Sequence, residues 1–323
     1  MVYANDSKSF GGNPLRVQVS PPAQVKNKRK TLVIVGPTAS GKSALAVQLA
    51  RKLGGEVLSA DSRQVYTGLN IGTGKITKKE MGGIRHHLLD VVSPKKVFTA
   101  HNFIEKGREA IEDIQKRGKL PIICGGTGFY IDALVGRIIL PDVPANPKLR
   151  TRLEKKPAAQ LFALLKKLDP RRAKGIDKHN SVRLVRAIEI AHALGKVPVA
   201  STKSLPYSVK WIGIQPDEKK LRTKIHTRLN ERMQRGMVQE AKRLHSEGLS
   251  YKRMFALGLE YRYLALYLQN KMSKKEMLEK LELDIWHYAK RQITYWQRNR
   301  DISWFKPEDL QKIERRVQKL IHA

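Results

Sequence analysis

The segment "TLVIVGPTASGKSALAVQLA", residues 31–50, limits the possible folds of this chain more than any other segment does. An apolar run leads into Gly36-Pro37-Thr38-Ala39-Ser40-Gly41-Lys42-Ser43, and an apolar helical pattern follows. In a strand–loop–helix unit of this kind, loop N–H groups and the positive helix end surround phosphate. We therefore predict that residues 36–43 bind phosphate, with Lys42 on its terminal oxygens and the Ser43 hydroxyl on Mg²⁺.

Four short apolar runs bounded by Gly, Pro or polar residues predict the strands of a buried parallel sheet. Helical patterns separate these strands, and this alternation is typical of an α/β fold. The predicted fold class is therefore α/β, with a P-loop NTPase-like core and a parallel sheet. The predicted strands are 31–36, 55–61, 120–126 and 209–215, and the predicted helices of the core are 42–53, 101–117 and 128–136.

The pattern changes after "LPDVPANPK", where short basic helices replace the strand–helix alternation. We predict a helical insertion at residues 146–206 and a P-loop core built from residues 31–145 and 207–323. The part after residue 217 reads as almost entirely helical. Residues 1–30 are polar, end in "KNKRK" and read as a disordered basic arm.

The charge balance favours a polyanionic partner. The chain of 323 residues has 63 Lys and Arg against 29 Asp and Glu, a net charge of +34. Nucleic acid is the partner that best matches such a field, although a basic surface can also serve solubility alone. The single cysteine, Cys124, excludes an internal disulfide and fits the cytoplasm, and no apolar run is long enough for a membrane helix.

Two further turns carry candidate chemistry at the carboxyl edge of the predicted sheet, where open α/β sheets bind ligands. Asp61 ends the second strand, and it could ligate metal, cap the next helix or act as a general base. The strand "LPIIC" ends in Gly125-Gly126-Thr127-Gly128, without the Asp that helps many P-loop ATPases to hold Mg²⁺. This uncharged turn suits the close approach of a ligand, or it is an ordinary turn between strand and helix.

Seven motifs in order resemble those of the tRNA dimethylallyltransferase family, also called tRNA isopentenyltransferases. They span about residues 31 to 305 and read "GPTASGKSALA", "SADSRQVY", "GLNIGTGK", "HHLLDVVSP", "GGTGFYIDAL", "VRLVRAIEI" and "AKRQITYW". The resemblance implies that the loop holds the diphosphate of dimethylallyl diphosphate. It further implies transfer of the five-carbon group to N6 of the adenosine 3′-adjacent to the anticodon, position 37 of tRNA.

Carried over residue by residue, the resemblance makes Asp61 the base that accepts the N6 proton. Thr38 and Thr127 would orient the diphosphate and the reacting centre, and Arg228 would reach the diphosphate. Mg²⁺ on Ser43 would stabilise the leaving group. The implied partners are dimethylallyl diphosphate and the tRNA anticodon stem-loop, with no membrane and a monomeric protein.

The same resemblance implies tRNA contacts in four segments. These are Asp61, Ser62, Arg63 and Gln64; Thr127 with Arg150; Val182, Arg183, Leu184, Val185 and Arg186; and Lys290, Arg291 and Gln292. For the last segment, the residues favour packing as much as RNA contact. An inward stripe of Ile285, Ala289, Gln292 and Trp296 supports packing.

Three alternatives stay open. A P-loop kinase would transfer a phosphoryl group from ATP, and an adenylate isopentenyltransferase would prenylate free AMP, ADP or ATP. The third is an RNA-binding protein that no longer catalyses a reaction. The basic helices and the charge favour a polynucleotide acceptor. The segment "ALGLEYRYL" departs from the family's Gly-Tyr-Arg-Gln and leaves residue assignments there open, and Arg232 and Arg235 read as surface charges.

Overall fold

A six-stranded, fully parallel sheet forms the centre of the computed structural model, which describes residues 29–199, 205 and 207–322. The strands lie in the spatial order β3-β2-β4-β1-β5-β6. They are β1 (Arg29–Val35), β2 (Gly55–Ala60), β3 (His86–His87), β4 (Leu120–Gly125), β5 (Tyr207–Ile214) and β6 (Ser303–Phe305).

Fourteen helices surround this sheet in the described part of the chain. They are α1 (Lys42–Leu53), α2 (Lys78–Met81), α3 (Ala100–Lys116), α4 (Gly128–Leu134), α5 (Pro147–Leu153), α6 (Ala158–Leu168), α7 (Pro170–Lys174), α8 (Ser181–Leu194), α9 (Glu218–Gln234), α10 (Met237–Ser246), α11 (Tyr251–Leu257), α12 (Leu259–Leu268), α13 (Lys274–Trp296) and α14 (Leu310–His322).

Both faces of the sheet are buried, so its central strands are apolar throughout. Alternate residues of β1 enter different clusters: Leu32 and Ile34 pack with α1 and α14, whereas Val33 and Val35 pack with α3, α4 and α9–α13. The cluster that contains Val33 and Val35 also includes Trp296, as the predicted inward stripe requires, and Trp286. The predicted α/β class with a parallel sheet is confirmed.

The predicted strand positions agree with the observed ones to within a few residues, and helix 42–53 is confirmed as α1. Two edge strands, β3 and β6, were not predicted because they have only two and three residues. The boundary of the basic arm needs correction: Arg29 and Lys30 pair with β5 as part of β1. Residues 1–28 of the predicted arm lie outside the described residues.

Helices α5–α8 form the predicted helical insertion region and have an apolar cluster of their own. That cluster includes Leu153, Leu161, Leu165, Leu184 and Ile188. None of these residues belongs to the two clusters on the faces of the sheet. The part of the predicted insertion at residues 200–204 and 206 lies outside the described residues.

A buried carboxylate fixes the point where the insertion begins. Glu189 of α8 accepts hydrogen bonds from the backbone N–H of Asn146 (2.6 Å) and from Nε and Nη2 of Arg150 (2.9 and 2.8 Å). Arg186 also pairs with Glu189 and donates to the Val143 carbonyl at 2.9 Å. Burial favours the neutral acid, but Arg150, the Asn146 N–H and Arg186 lower the pKa of Glu189 to about 2.

We expect Glu189→Gln to loosen this helical region, because the substitution leaves two arginines without their shared buried carboxylate. Loss of one partner from a buried ion pair typically costs about 3 kcal/mol. Hydrogen–deuterium exchange of residues 147–194 should accelerate, whereas the exposed Glu154→Gln should leave it unchanged. The folded pKa of Glu189, about 2, lies below the ordinary 4.5. The contribution of the ionised Glu189 to folding stability should therefore be complete above about pH 5 and disappear towards pH 2. Equal exchange in both variants would contradict this role.

Candidate active site

Three loops meet at the carboxyl edge of the sheet because the strands before them are neighbours whose last residues pair with one another. Val35 at the end of β1 and Ala60 at the end of β2 both pair with Gly125 at the end of β4. The loop from Gly36, the turn from Asp61 and the turn from Gly126 therefore begin side by side. Sheet topology thus brings together three of the segments that the sequence predicts to be functional.

The loop at residues 36–43 leaves several backbone N–H groups without a protein acceptor among the described contacts. Ala39 adopts a left-handed φ of 62°, and Gly41 precedes α1 with a φ of 90°. Gly41 provides no side-chain cap, and the first turn of α1 has no acidic residue. Among the described hydrogen bonds, the N–H groups of Ala39, Gly41, Lys42 and Ser43 have no protein acceptor. Such a group of free N–H donors at a helix N-terminus is suited to phosphate.

Two basic side chains approach this loop under partial desolvation. Lys42 donates from Nζ to the Pro37 carbonyl at 2.9 Å. Burial lowers its pKa, the Asp61 carboxylate raises it, and the Arg228 guanidinium lowers it. Desolvation also lowers the pKa of Arg228, followed by the charge of Arg232. No acceptor for the Arg228 guanidinium occurs among the described side-chain contacts. Both cations are therefore available to an anion.

The Asp61 carboxylate combines a structural contact with a free oxygen. Its Oδ1 accepts the backbone N–H groups of Arg63 (2.7 Å) and Gln64 (3.2 Å), so it caps the turn that follows β2. Its Oδ2 accepts no hydrogen bond from the described part of the protein. The sequence left helix capping and proton acceptance as alternatives, and this geometry allows both.

Thr127 connects the turn after β4 with the turn after β2. Its Oγ1 accepts the backbone N–H of Ser62 at 3.1 Å. Tyr288 lies near this turn and near Asp61: burial raises the pKa of its phenol, the charge of Asp61 raises it further, and Thr127 lowers it. The phenol thus stays protonated at neutral pH beside the candidate base. No sequence motif indicated Tyr288, which lies in the amphipathic helix α13.

Mg²⁺ would have to take most of its ligands from a substrate. The described residues contain no group of three or more His, Cys, Asp or Glu side chains that could hold a metal. The exposed Ser43 hydroxyl, at the N-terminus of α1, is one oxygen donor beside the free loop N–H groups. Mg²⁺ commonly binds through one or two protein oxygens together with phosphate and water, and the site fits that arrangement.

The structure places the predicted tRNA contacts of the insertion in different surroundings. Leu184 and Val185 are buried in its apolar cluster, so their side chains cannot reach an RNA surface. Arg150 and Arg186 pair with Glu189 and are not free cations. Val182 is 80% exposed, and the Arg183 side chain is exposed as well. Helical spacing is consistent with the Arg186–Glu189 pair, whose members are three residues apart, but it carries no signal for Arg150, which is 39 residues from Glu189 in the sequence.

The Lys290-Arg291-Gln292 segment also contains both exposed and buried residues. Lys290 and Arg291 are exposed and lie over the rings of Trp286 and Tyr288, at 5.6 and 6.0 Å from the ring centroids. Gln292 is buried: its Oε1 accepts the Thr38 N–H at 2.7 Å, and its Nε2 donates to the Gly126 carbonyl at 2.9 Å. The prediction of Gln292 as part of the inward stripe is confirmed, and its predicted contact with RNA stays a prediction.

Comparison with known proteins identifies the family. The sequence model of the IPP transferase family matches residues 64–300. A tRNA dimethylallyltransferase from Anoxybacillus flavithermus is 39% identical over 298 residues, which cover 91% of this chain and 95% of the relative. This chain belongs to the IPP transferase family. A second relative, tRNA dimethylallyltransferase 1 from Syntrophus aciditrophicus, is 39% identical over 90% of this chain and 97% of its own length.

Solved structures of IPP transferases have the same fold. The full-length tRNA isopentenylpyrophosphate transferase of Bacillus halodurans aligns with a TM-score of 0.70 and 31% identity, over 92% of this chain and 97% of that structure. A eukaryotic dimethylallyltransferase acting on tRNA aligns with a TM-score of 0.76 and 27% identity, over 90% of this chain and 77% of that structure.

The segment that departs from the usual family motif is joined by polar contacts to residues 70–72. Glu260 pairs with Arg232 at 2.8 Å, and Arg232 also donates to the Gly72 carbonyl at 2.7 Å. The Tyr261 hydroxyl donates to Glu240, which also accepts the backbone N–H groups of residues 70, 71 and 72. Arg232, predicted as a surface charge, is therefore a largely covered partner of this segment. No sequence motif indicated the Glu240 contact.

We expect Lys42→Ala to weaken the binding of inorganic pyrophosphate by about tenfold or more, since it removes a charge-assisted hydrogen bond from a partly desolvated site. Isothermal titration calorimetry can measure this change. Lys52→Ala is the matched control, because Lys52 lies in the last turn of the same helix and pairs with Glu314. Unchanged pyrophosphate affinity in Lys42→Ala would contradict the assignment of this loop.

Proposed function

We infer that this chain is a tRNA dimethylallyltransferase. The donor is dimethylallyl diphosphate, and the acceptor is N6 of the adenosine 3′-adjacent to the anticodon, position 37. The observation that carries this proposal is the juxtaposition of free phosphate-binding N–H groups with a carboxylate that keeps one oxygen unpaired. Family membership supplies the identity of the group that is transferred.

The donor side of the site serves to stabilise a departing anion. As the bond between C1 and the diphosphate oxygen breaks, negative charge grows on the diphosphate. The loop N–H groups, Lys42 and Arg228 are placed to stabilise that charge. Thr38, in the same loop, orients the donor. No phosphoryl group is transferred, so the site needs no strand-end Asp after β4, where the chain has Gly125 and Gly126.

The acceptor side serves to remove a proton. The exocyclic amine of adenine is a weak nucleophile because its lone pair is delocalised into the ring. As the bond from N6 to C1 forms, Oδ2 of Asp61 accepts the N6 proton. Ser62, Arg63 and Gln64 frame the base, and Thr127 connects them to the turn after β4. The adenosine must leave the base stack of the anticodon loop to enter this edge of the sheet.

Mg²⁺ is the proposed metal, held by the Ser43 hydroxyl together with oxygens of the diphosphate. When bound, it would withdraw charge from the leaving group.

The exposed arginine and lysine side chains supply the proposed tRNA surface. Arg183 and Val182 on α8, with Lys290 and Arg291 on α13, are the predicted contacts that remain exposed. The net charge of +34 supports long-range attraction of a polynucleotide. The described residues include no helix with the length and apolar character of a membrane span. We propose a monomer that meets tRNA in the cytoplasm, the reducing compartment that the single cysteine suits.

Label transfer tests the proposed function. Purified protein is incubated with Mg²⁺ and dimethylallyl diphosphate labelled in the prenyl group, together with either tRNA or AMP. We expect label in tRNA and none in AMP. Transfer to AMP alone would favour an adenylate isopentenyltransferase, and no transfer to either acceptor would reject the proposal.

We expect Asp61→Asn to retain tRNA affinity and to lose about 10²- to 10⁴-fold in turnover, the usual contribution of a general base. The amide preserves the shape of the side chain but accepts a proton poorly. Single-turnover label transfer and filter binding of tRNA measure the two properties separately. Asp142→Asn is a matched control, because it makes the same exchange at an exposed position. Near-normal turnover in Asp61→Asn would eliminate this residue as the base.

We expect Arg183→Ala to weaken tRNA binding and to reduce the slope of log K against log salt by about one, because one phosphate contact is lost. Pyrophosphate affinity should not change. Lys52→Ala again serves as the control, since its side chain lies near the amino-terminal edge of the sheet. An unchanged salt slope would remove Arg183 from the tRNA surface.

A further inference from the structure

We propose that Gln292 is a positioning residue that sets the distance between the donor loop and the acceptor turn. The proposal rests on the function inferred above and adds a role for a side chain that touches neither substrate. One primary amide joins the two loops: Oε1 accepts the Thr38 N–H at 2.7 Å, and Nε2 donates to the Gly126 carbonyl at 2.9 Å.

The first contact removes one loop N–H group from the phosphate site. The N–H groups of Ala39, Gly41, Lys42 and Ser43 stay free among the described contacts, whereas that of Thr38 is already paired. The backbone N–H of Thr38 is therefore held by Gln292 of α13 and is not free to bind phosphate. Because Thr38 is the loop residue proposed to orient the donor, its anchor also fixes where the breaking bond lies.

The second contact holds the turn on the acceptor side. Gly126 precedes Thr127, whose Oγ1 receives the Ser62 N–H next to Asp61. A Cβ atom built on Gly126 would lie 2.0 Å from Nε2 of Gln292, so only glycine leaves room for the amide. The glycine and the glutamine are thus parts of one contact.

A second residue of α13 packs against this turn. Tyr295 donates from its hydroxyl to Asp132 at 2.7 Å, and a Cβ on Gly128 would lie 2.3 Å from its ring. Gln292 itself is 5% exposed, and α13 is 23 residues long. A long helix packed on the core is a rigid support, and a buried amide with both ends bonded has little freedom to move.

The chemical consequence concerns the alignment of C1 with N6. The donor is held by the loop after β1 and the acceptor by the turns after β2 and β4, so their relative position depends on what joins these loops. An error of about 1 Å in such an alignment can reduce a rate by about 100-fold without a comparable loss of binding. A positioning role therefore predicts a loss in the chemical step.

Gln292→Met tests this role, because methionine has a similar size and forms neither hydrogen bond. We expect the single-turnover rate of label transfer to fall by about 100-fold, while the dissociation constants for pyrophosphate and tRNA change by less than about threefold. Gln297→Met is the matched control, because Gln297 lies exposed at the end of α13. It should keep the wild-type rate.

Gly126→Ala is the second variant, since it displaces the amide while retaining Gln292. We expect the same loss of rate with the same retained binding, and thermal melting shows the folded fraction of each variant. A wild-type rate in either variant, or a rate that falls only in proportion to binding or folded fraction, would overturn the proposal. If the wild-type protein transfers no label, the proposed function fails first, together with the reaction that Gln292 would serve.

Discussion

The structure depends on a set of backbone N–H groups that the protein itself leaves unpaired. Helix α1 begins after Gly41 without a side-chain cap, and no acidic residue in its first turn interacts with the helix dipole. Unpaired N–H groups at a helix N-terminus need an acceptor, and a phosphate oxygen is a strong one. Lys42 and Arg228, both with a pKa lowered by desolvation, add positive charge at the same place. The chemistry of the site follows from what these donors bind.

Strand pairing determines which side chains can act on the bound ligand. Because β4 lies between β1 and β2, the turn at Gly126 is adjacent to both the phosphate loop and the Asp61 turn. A single threonine hydroxyl and a single glutamine amide then connect the three loops. The arrangement puts an anion site and a carboxylate next to each other without direct pairing between them.

Local motifs predicted the parts of the fold whose pattern is short-range. The phosphate loop, α1 and the central strands depend on apolar periodicity and glycine spacing, which the sequence displays directly. The outcomes at Arg150 and Gln292 depend on distant partners. Glu189, 39 residues away in the sequence, determines that Arg150 is paired. The loop at Thr38 determines that Gln292 is internal while its neighbours Lys290 and Arg291 are exposed. No motif within a few residues carries that information, because it arises from packing between separate helices and loops.

The central claim is that the loop holds a leaving group and that no phosphoryl group is transferred. The most direct test measures released pyrophosphate and modified adenosine in one reaction with tRNA, dimethylallyl diphosphate and Mg²⁺, with ATP as a competing donor. The account predicts one pyrophosphate for each N6-modified adenosine and no consumption of ATP. Transfer of the terminal phosphate of ATP, with dimethylallyl diphosphate left intact, would contradict it.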